Sequence, residues 1–167
     1  MINKTSPDFL LNPFKISNLN GVLTLKNLLY PDHPSSLESM HHHEKTRSQK
    51  ILHKHFVWEK NNMILCSALY TQWEDAYHPQ KFVINIIVHP DHQGLGYGTF
   101  CYDLLLKEIK IFDPIKISAQ VYELHKHSVH FLEKRGYKNT IKERESILDL
   151  TSYNSHLYQN KIDHVLQ

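Results

Sequence analysis

KFVINIIVHPDHQGLGYGTFCYDLLLKEI, residues 81–109, decides how the rest of the chain is read. Lys81 to Val88 is dense in β-branched side chains, which predicts a strand buried on both faces. Tyr97, Phe100, Cys101, Leu104, Leu105 and Ile109 then recur at helical spacing. Between strand and helix lies a turn with glycines at positions 94, 96 and 98. Glycines this close together let backbone approach a ligand. Such a turn opening a helix offers N–H groups and the positive end of a helix dipole to an anion.

The spacing narrows the anion. A Walker A loop ends in Gly-Lys-Ser/Thr, but Gly98 is followed by Thr99 with no lysine. A Rossmann fingerprint, GxGxxG, follows its strand directly, whereas His89 to Gln93 separate Val88 from Gly94. The third reading fits best. The amides from Gln93 through Gly94, Leu95, Gly96, Tyr97 and Gly98 to Thr99 would hold a pyrophosphate, with Gln93 free to add a side-chain contact.

Outward from this unit, the period predicts the other elements. Leu19, Val22, Leu25, Leu28 and Leu29 mark a helix near 18–30, stopped by Pro31 to Pro34. Ser35 with Glu38 reads as a capping box, so a second helix should run to about Lys50. Leu52–Glu59 and Met63–Trp73 read as a β-hairpin turning at Lys60, Asn61 and Asn62. Asp113-Pro114 ends the long helix, and Ile115, Ile117, Ala119 and Val121 alternate as a strand. HSVHFLEKRG predicts a helix capped by Gly136. Residues 137–151 are expected to form a strand pair or a bent strand, and 157 onward a possible helix. The order gives an α/β or α+β domain with a mixed sheet.

Composition sets bounds. With 167 residues the chain suits one domain, and its net charge of +2 with scattered Lys and Arg gives no nucleic-acid footprint. No stretch is apolar enough to span a membrane, and the first residues lack a signal-peptide core, so a cytoplasmic setting is expected. The two cysteines, Cys66 and Cys101, make no disulfide framework, and Cys101 reads as a packed thiol. The 14 histidines are the compositional oddity. His127 and His130 could share a helix face, but no metal site is expected, and surface histidine is the simpler reading. Trp58 and Trp73 read as core or rim.

Two stretches together resemble a known family. VHPDHQGLGYGT is similar to the acetyl-CoA-binding motif of the GNAT superfamily of N-acetyltransferases, Gln/Arg-x-x-Gly-x-Gly/Ala, with Gln93, Gly96 and Gly98 in the signature places. SVHFLEKRGYK, residues 128–138, resembles its second motif. The likeness covers about Phe14 to Leu150. It implies a mostly antiparallel sheet splayed between its fourth and fifth strands and flanked by about four helices. The implied domain is 14–151, with a lead-in at 1–13 and a tail at 152–167. YPDHPSSLESM and KERESILDL further resemble the first half of tandem GNAT proteins, which implies a stand-alone or a half-length relative.

The resemblance implies direct transfer of an acetyl group from acetyl-CoA to a primary amine of a small molecule or peptide. Pantetheine would pair with backbone of Ile86, Ile87 and Val88, and the loop would take pyrophosphate. His125 stands where many members have a cofactor-contacting Asn, and Phe131 belongs to the second motif. A base for the amine could be Glu74, Asp75, His78 or His89. Asn85 sits where relatives often carry a carboxylate, and an amide is no base. The usual Tyr acid is replaced by Leu132, so Tyr122 or Tyr137 would have to substitute. A homodimer is plausible on family grounds. The competing expectation is a non-catalytic acyl-CoA sensor or scaffold.

Overall fold

In the computed structural model, whose described residues are 9–144, 146–154 and 156, five strands lie side by side in chain order. They are β1 (Asn12–Pro13), β2 (His53–Lys60), β3 (Met63–Thr71), β4 (Lys81–Val88) and β5 (Lys116–Ala119). The first three pairings are antiparallel and β4–β5 is parallel. A parallel pair needs a crossover, which the helix α3 (Tyr97–Lys110) supplies. Two helices, α1 (Leu19–Leu29) and α2 (Leu37–Thr46), precede β2, and α4 (Lys126–Glu133) follows β5. The mixed α/β architecture expected from the element order is what forms.

Strand alternation assigns the layers. Val57 joins a core cluster with Val22 and Leu25 of α1, Ile64 and Ile87. Its neighbour Trp58 packs on Tyr97 of α3, ring centroids 4.7 Å apart. Successive strand residues face opposite ways, so α1 and α3 cover opposite faces of the sheet. On the α3 face, Cys66, Cys101, Leu105 and Ile109 are fully buried, and Phe82 packs on Tyr70 and Phe112. On the α1 face, Gly21 lets the helix approach closely. A Cβ there would lie 2.6 Å from Ile64 Cγ1.

The hairpin turns as its sequence demands. Asn61 (φ 51°) and Asn62 (φ 60°) take the left-handed conformation between the paired Lys60 and Met63. The cap of α2 differs from expectation. Asn27 bonds both the N–H and the C=O of Ser35, so Ser36 becomes the N-cap and accepts from the Ser39 N–H at 3.1 Å. That helix ends at Thr46, because Arg47 is extended (ψ 129°), four residues short of Lys50. Asn12 and Pro13, assigned to the lead-in, pair with β2.

The chain divides into two compact units, residues 1–129 and 130–167. The sheet and α1–α3 belong to the first. In the second, the Tyr137 N–H bonds the Leu132 C=O and the Gly136 N–H bonds the Glu133 C=O, with Gly136 at φ 81°. This is a Schellman cap, and it ends α4 where the sequence indicates. The expected strands of 137–151 do not form among the described residues. Ile141, Ile147, Leu148 and Leu150 are at least 61% exposed, and Lys138, Lys142, Glu143 and Arg144 crowd the segment with charge. No buried face pins a register there. The expected helix from 157 lies outside the described residues.

Candidate active site

The parallel pairing of β4 with β5 covers only Lys81–Ile84 against Lys116–Ala119. Asn85 to Val88 have β3 on one side and no strand on the other. The sheet is therefore open at this point. The His89 N–H bonds the Leu65 C=O at 2.8 Å, continuing the β3 register. In an antiparallel ladder alternate residues turn their N–H and C=O the same way. So Ile87 and Asn85 bond toward β3, while Ile86 and Val88 turn their N–H and C=O into the gap. The Gln93 side chain closes one of these positions, with Nε2 donating to the Val88 C=O at 2.9 Å. This amide therefore ties the glycine turn to the end of β4.

Beyond Val88 a 3-10 turn, Pro90–His92, is held by Pro90 C=O···H–N Gln93 and by the Asp91 N–H donating to His89 Nδ1. Gly94 (φ 73°) and Gly96 (φ 94°) then swing the chain into α3, with Gly96 as N-cap. A side chain rarely adopts either angle. The first turn of α3 carries N–H groups that lack an i−4 carbonyl within the helix, plus the positive dipole end. Leu95 points outward and Tyr97 is buried. Gap and turn adjoin at Val88, giving a slot with one polar strand edge and an anion-attracting end.

On the α1 face, four rings meet. Tyr30, at the end of α1, stacks on His125 at 5.3 Å and lies 5.3 Å from Tyr122. His33 stacks on Tyr122 at 5.1 Å. Tyr122 is three residues past Ala119, the partner of Ile84, so it lies roughly level with Ile87. Tyr30 packs on the core cluster that holds Ile87. The rings thus reach across the gap. Burial, and then the neighbouring Tyr122, push the Tyr30 phenol pKa above its ordinary value. The phenol therefore stays protonated at neutral pH.

The remaining expected residues separate. Asn85 is exposed and shares the α1 face with Ile87. Glu74 does not reach the gap. It follows Thr71, which faces Val83, five residues from Val88 or about 17 Å along the strand. Its Oε1 accepts from the Ser48 N–H at 2.7 Å, beside a cavity of about 330 Å³ that includes Lys50 and Tyr77. His78 Nδ1 accepts from the Gln80 N–H and His89 Nδ1 from the Asp91 N–H. In each ring the Nδ1 atom is thus engaged by a local backbone N–H. Phe131 lies in the second unit under the Arg135 guanidinium, 3.5 Å above its ring. Cys66 and Cys101 are fully buried and meet Sγ to Sγ at 3.1 Å, and that hydrogen bond and burial push the Cys66 thiol up, away from the reactive thiolate. Among the described residues no group of three or more His, Cys, Asp or Glu is arranged to hold a metal ion. No helix among them is long and apolar enough to cross a membrane.

Sequence reasoning missed Tyr30 and His33. Their only signal was position, a tyrosine at a helix end followed by Pro31.

Residues 22–137 match the sequence pattern of the Acetyltransferase (GNAT) family. The chain belongs to that family. Solved structures share its fold. An N-acetyltransferase from Staphylococcus aureus Mu50 superposes with TM-score 0.64 at 18% identity, over 78% of this chain and 83% of that one. An acetyltransferase of Trypanosoma brucei gives 0.58 at 23% identity, over 85% and 99%. An aminoglycoside antibiotic 6'-N-acetyltransferase from Acinetobacter haemolyticus gives 0.60 at 13% identity, over 84% and 99%. No curated protein sequence matches the chain. Family membership supports acyl transfer from an acyl-CoA in general.

Proposed function

We propose that this GNAT-family chain is an N-acetyltransferase that moves an acetyl group from acetyl-CoA to a primary amine. The observation that carries the reading is the open β4 edge running straight into the glycine turn. Its polar groups fit the two ends of the co-substrate. Ile86 and the Val88 N–H offer strand-like hydrogen bonds to pantetheine amides. The amides of Gln93 to Thr99 and the α3 dipole suit the pyrophosphate.

When bound, acetyl-CoA supplies the acyl group as a thioester. The chain's own part is positioning and electrostatics. Holding both substrates in one slot removes much of the entropic barrier. A backbone N–H such as that of Val88, aimed at developing oxyanion charge, is worth about 3 kcal/mol. The acceptor amine, with a pKa of about 10.4 if lysine-like, must reach the slot deprotonated. Asn85 can orient it but cannot take its proton. With Glu74 distant and the Nδ1 atoms of His78 and His89 engaged by local backbone, the proton leaves through solvent at the exposed Asn85 side. Tyr122, with Tyr30 beside it, donates to the departing thiolate in place of the absent tyrosine at Leu132.

The test is an amine panel (small amines, amino acids, an aminoglycoside, a peptide N-terminus) with release of free thiol as readout. Turnover with any amine supports the enzyme. Acetyl-CoA binding with no transfer to any of them favours the sensor reading.

A further inference from the structure

Tyr97 is the only side chain in the run Gly96-Tyr97-Gly98, and it is 4% exposed. A turn built of glycines has few other ways to hold its shape. The Tyr97 ring lies against Trp58 at 4.7 Å and against Phe9 at 4.7 Å. Phe9 also meets Trp58 edge-on at 4.8 Å and Phe100 edge-on at 4.9 Å. His92, in the 3-10 turn, adds its ring to Trp58 at 5.5 Å. Edge-on and tilted pairs at these separations are attractive beyond the area they bury.

Phe9 comes from a separate part of the chain. A few residues on, Asn12 and Pro13 pair with Val57 and Phe56 at the outer side of β2. Phe14 then donates its N–H to the His55 C=O and stacks on the His55 ring at 4.3 Å. His55 shares its face with Val57, which is the α1 face. Phe9 is on the α3 face with Trp58. The segment 9–14 therefore wraps round the sheet edge, anchored on one face by Phe14 and on the other by Phe9.

The geometry points to Phe9 as a positioning residue of the glycine turn: the strap 9–14 presses Phe9 on Tyr97 and Phe100 and so fixes the amides that receive the pyrophosphate. This rests on the acetyltransferase reading for its ligand, though not for its mechanics. Phe9 touches neither substrate. It acts by withdrawing conformations from the turn before the anion arrives, which lowers the ordering cost of binding.

The test compares Phe9→Ala, Phe9→Tyr and Phe14→Ala in the full chain, by amide hydrogen exchange and by acetyl-CoA titration. Phe9→Ala should speed exchange at residues 94–99 and weaken acetyl-CoA about tenfold. Phe9→Tyr keeps the ring and should restore both. Phe14→Ala removes only the strap's far anchor, with Asn12 and Pro13 still paired to β2, and should speed exchange at 94–99 less than Phe9→Ala does. Unchanged local exchange in Phe9→Ala would overturn the inference, as would equal local loss in Phe9→Ala and Phe14→Ala. If the wild type fails to bind acetyl-CoA, the acetyltransferase reading falls, and the exchange comparison alone decides the strap.

Discussion

Replacing His55 with Gln should reduce the acid sensitivity of the fold. His55 lies on the α1 face with its Nε2 2.7 Å from Ser67 Oγ, and Ser67 is itself buried. Burial first, then the neighbouring His53, lowers its pKa from 6.5 to about 4. The unfolded chain therefore binds a proton below pH 6.5 that the folded chain refuses until about pH 4. Stability is present above 6.5 and is lost as pH falls toward 4. Between pH 7 and pH 5 these two values give a loss on the order of 2 kcal/mol from His55 alone. His53 is also lowered to about 4, by burial and then by Arg47, with Glu44 opposing. It adds a further loss of the same sign over this pH range. The assay is urea unfolding of wild type and His55→Gln at pH 7 and pH 5. The variant should lose about 2 kcal/mol less than the wild type over that interval. Equal pH dependence in the two proteins would refute the reasoning.

Other expectations follow from particular contacts. Gly21→Ala gains about 1 kcal/mol of helix propensity but drives a Cβ against Ile64, an overpacking of about 1–3 kcal/mol, so thermal melting should show net loss that Ile64→Ala relieves in the double variant. Gly94→Ala meets open space, so only its φ of 73° opposes it, and calorimetry should find about 1 kcal/mol of destabilisation. Leu105→Ala empties a fully buried site on α3 and should cost about 2–5 kcal/mol in denaturant unfolding. With Glu74 held away from the gap, kcat/KM should rise with pH toward the pKa of the amine. An inflection near pH 6.5 would reinstate a histidine base.

Much of this was legible because local chemistry and tertiary demand agree. Lys81–Val88 forms the strand that its β-branched run dictates, and Asn61-Asn62 turns where two left-handed residues are needed. Gly94 and Gly96 take positive φ as a close-approach turn requires. What was not legible depends on partners distant in sequence. Ser35 looks like a cap until Asn27 takes its backbone. Glu74 looks close to the central strand because it is near in sequence, yet the hairpin register carries it to the far end. Phe9 carries no periodic signal at all, and only the sheet edge brings it to Tyr97. The segment after Gly136 carries Ile141, Ile147, Leu148 and Leu150, but it lacks a buried surface to select one face.

The central claim is that the slot beside β4 and its glycine turn receives acetyl-CoA. Calorimetric titration of acetyl-CoA into the wild type and into Gly96→Glu tests it most directly. The substitution sets a strained side chain and a negative charge at the N-cap of α3, where the pyrophosphate belongs. The account predicts binding by the wild type and none by a folded variant. No binding by the wild type, or undiminished binding by the variant, would contradict it.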